Sequence, residues 1–314
     1  MSEYSQRVLQ SRKEFIKLVA EQEEEILKIY EEASRQILKE LSKVRGDSLS
    51  ARYLLSLEKS IKRYKRELNN ALSKTIKDGI KASSEIASTV PLAYMQAIAP
   101  NPKLRQSFVS MFSNLSNNVV KQLIRENYYA DGKTLDQRIW NLTLSNAKDI
   151  DMLIKTNIAK GVNAGKLAKE LEEYINPNKV LNTKTRVPGI KKDIAYQAQR
   201  LARTSLTHAN TESYISSCSA NPFAEGLKWN LSNSHYSRQV KRFGKDICDE
   251  YAGKIFPADK VPLQHCNCLC YFTMETMPIG DARKELISWL NGDSNDKLDK
   301  WYNENKEFLG GSIW

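Results

Sequence analysis

The sequence has no long apolar run. The best candidate for a membrane span among its 314 residues covers residues 90–99, and it contains Pro91 and Gln96. A transmembrane helix needs about 20 apolar residues, so we expect no span. The first residues have no apolar signal-peptide core, which predicts a protein made and kept in a reducing cytoplasm. With three histidines and five cysteines, and with no nucleophile elbow, dinucleotide fingerprint or zinc-protease helix motif, we do not predict an enzyme.

Acidic residues are fewer than basic ones. The chain has 48 Lys and Arg against 37 Asp and Glu, a net charge of +11. The excess lies in the middle, because residues 274–314 carry five basic and eight acidic side chains. A basic field of this size favours polyanions, chiefly through phosphate contacts. The alternative is a solvated surface with surplus lysines.

Two groups of cations are candidate nucleic-acid contacts. The first group is Lys59, Lys62, Arg63, Lys65 and Arg66. The second group is Arg238, Lys241, Arg242 and Lys245.

The N-terminal part predicts a helical hairpin. Apolar residues recur at helical spacing from Ile16 to Val44, and again from Leu54 to Ile80. Gly46 is the expected end of the first helix. In each helix these residues form a narrow apolar stripe, so we expect the helices to pack against each other or a partner, not in a large core.

The rest of the chain is also predicted to be mainly helical. We expect a hinge at Pro91, a second break at residues 100–102, and helical breaks at Gly161 and Gly165. From Asn221, glycines and prolines punctuate short strands and loops. After Pro278 the pattern becomes helical again, and we expect its tryptophans to dock a terminal helix onto the body. These are Trp289, Trp301 and Trp314.

The predicted fold class is therefore mainly α with a small α+β part. Four modules are expected: a helical hairpin at 1–90, a central helical module at 91–190, a Cys/His-bearing α+β module at 191–275 and an acidic helical tail at 276–314.

The Cys/His-bearing module has a candidate metal site. Zinc takes four nitrogen or sulfur ligands in a tetrahedron, and a local turn plus distant residues can supply them. The set we favour is Cys248, His265, Cys268 and Cys270, with His235 as the competing fourth ligand. Cys268 and Cys270 would point to one face of an extended chain. The alternative is buried thiols packed as small hydrophobes.

The same segment resembles a known family, the head-morphogenesis or minor head proteins of tailed bacteriophages, which include Mu F-like proteins. The resemblance covers about residues 145–273. It is carried by an ordered series of elements: Trp229, Ser234-His235, Asp246-Ile247-Cys248-Asp249, Gly253-Lys254-Ile255-Phe256-Pro257, and His265-Cys266-Asn267-Cys268-Leu269-Cys270-Tyr271. The chain departs from the family at Cys266, where proline is usual, and at Leu269, where arginine is common.

The resemblance implies a minor structural protein of the virion. Such a protein would lie near the portal or in the capsid interior, contact portal or major capsid protein and double-stranded DNA, and assist head assembly and DNA packaging or ejection. Two other functions stay open. One is a sequence-independent DNA-binding protein with a zinc-stabilised module. The other is a metal-dependent nuclease or an effector delivered with the genome, which would need an open metal position and a general base such as Asp246, Asp249 or Glu250.

Overall fold

The computed structural model describes residues 3–41, 43, 51–126, 128–162, 164–176 and 194–310. These residues form a mainly α fold with one small sheet, which confirms the predicted fold class. None of the helices in these ranges combines the length and the hydropathy needed to cross a membrane. The predicted helix end at Gly46, the neighbouring Val44 and the terminal Trp314 lie outside the described residues.

Helices predominate among the described residues up to Ser219. They are α1 (Glu3–Leu41), α2 (Ala51–Ile98), α3 (Pro102–Arg125), α4 (Leu135–Ala159), α5 (Ala164–Ile175) and α6 (Tyr196–Ser219).

Shorter elements follow α6. They are β1 (Ala224–Asn230), a π-helical turn (Tyr236–Val240), α7 (Lys241–Phe243), α8 (Ile247–Tyr251), β2 (Ile255–Phe256), a 3-10 turn (Ala258–Lys260), β3 (Tyr271–Thr276), α9 (Ile279–Leu290) and α10 (Asp296–Leu309).

The chain divides into two compact units. The first comprises Met1–Val19, Gly79–Glu126 and Arg203–Trp314, and the second comprises Ala20–Asp78 and Asn127–Ala202. Each unit combines stretches that are distant in sequence, so the units do not follow the order of the four predicted modules.

The N-terminal hairpin is antiparallel, as predicted. In the first unit, Ser11 Oγ donates to the Ile86 carbonyl at 3.1 Å. In the second unit, Gln22 Nε2 donates to the Thr75 carbonyl at 3.0 Å. The predicted stripe is wrong at Ile16, which is 42% exposed. Its neighbour Phe15 is only 2% exposed and takes the inward position instead.

The hairpin also packs against other helices, which corrects the expectation of a separate, narrow seam. In the second unit, Asn146 of α4 donates to Tyr30 Oη at 2.7 Å. Ser34 Oγ donates to the carbonyl of Ile175, the last residue of α5, at 3.2 Å. The stripe therefore belongs to the core of that unit, because buried residues of α4 and α5 supply partners to it.

The predicted hinge at Pro91 is wrong, because α2 continues through this residue to Ile98. Proline removes one helical hydrogen bond and normally kinks or ends a helix. Here Val90, Tyr94 and Met95 are all buried in the first unit. Tertiary packing on both sides of the proline outweighs its local cost.

The other predicted breaks have two outcomes. The break at residues 100–102 is confirmed, since Asn101 caps α3 by accepting from the Leu104 N–H at 2.8 Å. Gly161 lies between α4 and α5, as predicted, with φ of 66°. The break at Gly165 is wrong, because this residue lies in the first turn of α5.

The predicted docking of the C-terminal tryptophans is confirmed for two of them. Trp289 of α9 and Trp301 of α10 lie in one buried cluster with residues of α2 and α3. Their ring centroids are 6.4 Å apart. Trp301 Nε1 donates to the Ala220 carbonyl at 2.8 Å, so the indole N–H is satisfied inside the core.

The sheet has the strand order β2-β1-β3, and both pairings are antiparallel. A register shift separates Ala224 from Gly226 in the pairing with β3. Gly226 has φ of 153°, and a Cβ on it would lie 2.8 Å from Ile255 Cγ2 and from the Phe256 carbonyl oxygen. Only glycine fits this irregularity, because β2 lies directly over it.

We therefore expect Gly226→Ala to destabilise the protein by about 1–3 kcal/mol through overpacking against β2. Chemical denaturation followed by circular dichroism would measure the loss. Gly280→Ala in α9 is the matched control, since no heavy atom lies within 4 Å of the position that its methyl group would take. Equal stability of both variants would show that the close approach of β1 and β2 is not a constraint.

Candidate metal centre

Three short segments carry the cysteines and histidines of the predicted site. His235 follows β1 and opens the π-helical turn, Cys248 lies in α8, and Cys268 and Cys270 precede β3. The sheet packs against these three segments. Trp229 of β1 is buried and makes edge-to-face contacts with Tyr251 and Phe272, at centroid distances of 5.2 and 4.9 Å.

A capping box places Cys248. Asp246 precedes α8, and its side chain accepts from the Cys248 N–H at 2.9 Å. The Asp249 carboxylate in turn accepts from the Asp246 N–H at 2.9 Å. Such reciprocal bonds fix the first turn of a helix. The thiol of Cys248 is therefore held in the interior, where the residue is fully buried.

A polar stripe on α6 holds the loop that carries the other two thiols. Its members recur at helical spacing: Thr204, Thr207, His208 and Thr211. The Thr204 hydroxyl accepts from the Asn267 N–H at 2.8 Å. The Thr207 hydroxyl donates to the Cys268 carbonyl at 2.8 Å.

Gln264, at the start of the loop, forms hydrogen bonds with the same polar stripe. His208 Nε2 lies 2.9 Å from the Gln264 carbonyl, and the Thr211 hydroxyl donates to the Gln264 side chain. Gln264 Nε2 donates to the Cys270 carbonyl. His208 is therefore a buried structural residue that holds the loop. The sequence reasoning missed the stripe, although the spacing i, i+3, i+4, i+7 of polar residues was available as a signal.

The turn that precedes Cys268 has an unusual backbone. Asn267 has φ of 67°, the only positive value among the described non-glycine residues. Arg203 donates to its side-chain oxygen, and Arg238 donates to its carbonyl at 3.2 Å. Asparagine is one of the few residues that tolerates this left-handed conformation.

The first helix also reaches this loop within the first unit. Arg12 donates to the Leu269 carbonyl at 2.8 Å, and its guanidinium lies 4.1 Å from the centroid of the Tyr271 ring. Burial lowers the pKa of Arg12, while neighbouring tyrosine and cysteine groups oppose that shift. The Leu269 side chain packs against the cluster that contains Phe15, whereas Cys268 and Cys270 lie in a separate cluster, as expected if the two cysteines share one face of an extended chain.

The structure brings all five predicted ligands together. Cys248 Sγ lies 3.6 Å from Cys268 Sγ, and Cys270 Sγ lies 3.7 Å from His235 Nδ1. Two overlapping groups, His235 with Cys248 and Cys270, and His265 with Cys248 and Cys268, each have ligand atoms within 4.8 Å of one another. These clusters are close enough to hold a metal ion.

The two histidines differ in their second contacts. His235 is 7% exposed, and its Nε2 lies 3.0 Å from Asp249 Oδ2. His265 is half-buried, and its Nδ1 lies 3.0 Å from the Cys266 carbonyl. Its Nε2 is 3.1 Å from Asp246 Oδ2, but the buried nitrogen makes no hydrogen bond of adequate geometry among the described residues.

The electrostatics of the cluster favour one thiolate. Hydrogen bonds from Cys248 and Cys268 lower the pKa of Cys270 to about 2. Hydrogen bonds with Cys268 and Cys270, together with burial, raise the pKa of Cys248 far above its usual range. Burial lowers the pKa of His235, but its bond to Asp249 and the charge of Cys270 outweigh this and raise it overall.

The remaining cysteines lie outside this ligand set. Cys266 is exposed, and Cys218 is buried without a sulfur partner; all five cysteines are free thiols. Burial raises the pKa of Cys218 to about 11, so it is an inert thiol at neutral pH.

The predicted basic residues are at the surface. On α2, Lys59, Lys62, Arg63 and Arg66 are exposed. Lys62 pairs with Glu58 at 2.7 Å and Arg63 with Glu67 at 2.6 Å. Lys65 is half-buried with its Nζ 4.0 Å from the Trp140 ring centroid. Of the second group, Lys241, Arg242 and Lys245 are exposed, and Arg238 is half-buried against the cysteine loop.

No protein-family model, curated protein or solved structure matches this chain.

The left-handed turn at Asn267 gives a direct test of how the loop is held. We expect Asn267→Val to destabilise the protein by about 1–3 kcal/mol, because a β-branched residue is strained at positive φ. Denaturant unfolding of the purified chain would measure this. Asn267→Gly is the control, since glycine adopts the turn freely and loses only the side-chain bond from Arg203. Equal losses in the two variants would assign the effect to that hydrogen bond and not to the backbone.

Proposed function

We propose that the chain is a minor structural protein of a tailed-phage head, and that one zinc ion stabilises its C-terminal Cys/His module. The observation that carries the zinc proposal is a pair of overlapping ligand groups, His235 with Cys248 and Cys270, and His265 with Cys248 and Cys268, each with its ligand atoms within 4.8 Å of one another. The phage role rests on the resemblance of the segments that carry these ligands to the minor head proteins.

Two separations between ligand atoms suit tetrahedral zinc. Bonds of about 2.3 Å to sulfur and 2.0 Å to nitrogen give tetrahedron edges of about 3.8 Å between sulfurs and about 3.5 Å between sulfur and nitrogen. The observed separations are 3.6 Å for the Cys248 and Cys268 sulfurs and 3.7 Å for Cys270 Sγ and His235 Nδ1. Soft thiolates with one imidazole also select zinc over magnesium or calcium.

His235 is the better fourth ligand. Metal-binding histidines usually donate their second ring N–H to a carboxylate or carbonyl, which fixes the tautomer. His235 has this arrangement, with Nδ1 toward Cys270 and Nε2 toward Asp249. The proposed set is therefore Cys248, Cys268, Cys270 and His235, and His265 lies beside it as the alternative.

A closed ligand set argues for a structural ion. Catalytic zinc keeps one position for water or substrate, whereas four protein ligands leave none. A third group, His235 with Asp246 and Asp249, could also approach a cation. However, Asp246 and Asp249 already form the capping box of α8. This assignment of the carboxylates favours a structural protein over the metal-dependent nuclease or delivered effector.

The proposed head protein would contact portal or major capsid protein in the virion interior and touch duplex DNA without sequence preference. Exposed cations support the DNA contact, because phosphate neutralisation releases counterions. The helical ion pairs of Lys62 and Arg63 are exposed and weak, so phosphates could replace their carboxylates. A sequence-independent DNA-binding protein with a zinc-stabilised module is the second candidate, and the same exposed cations favour it.

We expect about one zinc per chain in protein purified without chelator, and none in the Cys268→Ser, Cys270→Ser double variant. Elemental mass spectrometry beside a protein assay would measure the ratio. The double variant should also unfold at lower denaturant concentration, since metal binding contributes to folding. Cys266→Ser is the matched control and should keep its zinc.

Replacing each histidine separates the two ligand sets. His235→Ala should weaken zinc in chelator competition more than His265→Ala does. Asp249→Asn should lower the affinity by about 10–100-fold as an outer partner. Absence of metal from the wild-type protein, with five titratable thiols, would contradict the zinc proposal and leave a packed thiol core.

The phage role predicts that the chain is built into particles. In procapsids and virions assembled from the genome that encodes it, quantitative mass spectrometry should detect the chain in far fewer copies than the major capsid protein. The Cys268→Ser, Cys270→Ser chain should be incorporated less, because its module is destabilised. Particles that lack the wild-type chain at both stages would contradict the proposal, whatever the metal content.

A further inference from the structure

The segment between two proposed zinc ligands forms an exposed basic surface. We call residues 236–245 the basic knuckle; they lie between His235 and Cys248 and contain four basic and no acidic side chains. The π-helical turn and α7 that form most of the knuckle contain no buried residue. The knuckle therefore contributes little to the core, and its composition is free to serve binding.

Two aromatic side chains of the knuckle stand in solvent. Phe243 is 77% exposed and Tyr236 is 68% exposed, more than any other large hydrophobic side chain of the described residues. Single exposed apolar residues are normal, but two aromatics within eight residues of chain and among cations form a patch. Burial does not explain them, because neither packs into a core cluster.

The cations of the knuckle are available to an anion. Lys241, Arg242 and Lys245 are exposed, and in the part of the chain that the structure describes they form no ion pair. Arg238 instead anchors the knuckle by donating to the Asn267 carbonyl at 3.2 Å. Gln239 closes the far end by donating to the Gly244 carbonyl at 3.2 Å.

We infer that the basic knuckle binds unpaired, single-stranded nucleic acid, with Tyr236 and Phe243 stacking on bases while the cations neutralise phosphates. The inference goes beyond the proposed duplex contact, because it assigns a second form of nucleic acid to the knuckle. Proteins that bind single strands combine basic surfaces with aromatic stacking platforms, because every base exposes a π-face once it is unpaired. In a duplex the bases are already stacked, so phosphate contacts alone would not use the aromatics.

Other partners fit the knuckle less well. An interfacial membrane helix needs a continuous apolar face, whereas the knuckle has two aromatic rings on two short helical turns. The core of a protein interface is depleted of charged residues, whereas cations are dense here. The positive charge and the exposed aromatic rings together favour single-stranded nucleic acid as the partner.

The test is fluorescence anisotropy of the 314-residue chain, purified without chelator, with a labelled oligothymidylate and a labelled duplex of the same length, over a range of salt concentrations. The wild-type chain should prefer the single strand. Tyr236→Ala with Phe243→Ala should weaken single-strand binding by about tenfold or more, and duplex binding by less than about twofold. Tyr236→Phe with Phe243→Tyr should retain the preference, because stacking survives.

Two further variants separate charge from stacking. The first is the triple variant Lys241→Gln, Arg242→Gln, Lys245→Gln, which should weaken the binding of both the single strand and the duplex. It should also reduce the slope of log affinity against log salt concentration by about 0.7–0.9 per lost phosphate contact. Lys284→Gln with Lys300→Gln on α9 and α10 is the charge control, and Leu55→Ala on α2 is the control for an exposed apolar side chain. Both controls should bind as the wild type does. All variants should keep their zinc and unfolding midpoint, since no altered side chain is buried.

Each other outcome overturns the inference. Duplex binding without a single-strand preference, unchanged by the aromatic substitutions, would leave the proposed DNA contact and remove the stacking role. If the chain binds neither the single strand nor the duplex, both the proposed DNA contact and the stacking role are contradicted. Aromatic-dependent binding to vesicles containing phosphatidylserine, without a single-strand preference, would assign the knuckle to an anionic membrane surface.

Discussion

The close approach of three thiols is the constraint on which the C-terminal α+β part depends. Cys248 and Cys268 bring their sulfurs to 3.6 Å in an interior that also contains Trp229 and Phe272. Neutral thiols at this distance make only weak hydrogen bonds. Several thiolates would repel one another strongly where water is excluded. Hydrogen bonds from the neighbouring thiols lower the pKa of Cys270, which favours a single thiolate, and a divalent cation would allow all three.

The loop that carries the thiols does not depend on a metal alone. The polar stripe of α6 holds Asn267, Cys268 and Gln264 through hydrogen bonds that are independent of the sulfur atoms. A ligand set held in this way loses less conformational entropy when an ion binds. The arrangement also explains the polar stripe on a buried face of α6, because Thr204, Thr207, His208 and Thr211 each bond to a backbone or side-chain group of the loop.

Much of this architecture was predictable because periodicity and ligand chemistry are local. The hairpin, α3, the paired strands and the five metal-ligand candidates all followed from spacing and residue type. The predictions were wrong where tertiary packing determines whether a residue is helical or buried. Pro91 stays helical because buried neighbours hold both sides of it, and Phe15 replaces Ile16 because the inward direction of a helix depends on what it meets. The α6 stripe was missed because threonines at helical spacing do not by themselves reveal that a loop packs against them and bonds to their hydroxyls.

The proposed ion and the basic knuckle are physically connected. His235 and Cys248 stand at the two ends of the segment that contains the knuckle, so an ion bound by both would close it into a loop and restrict its unfolded conformations. The knuckle has no buried side chain of its own. Its position therefore depends on these ends and on Arg238, which donates to Asn267 in the turn that precedes Cys268. One small centre would thus order both the interior of the module and the cationic, aromatic surface that it presents to solvent.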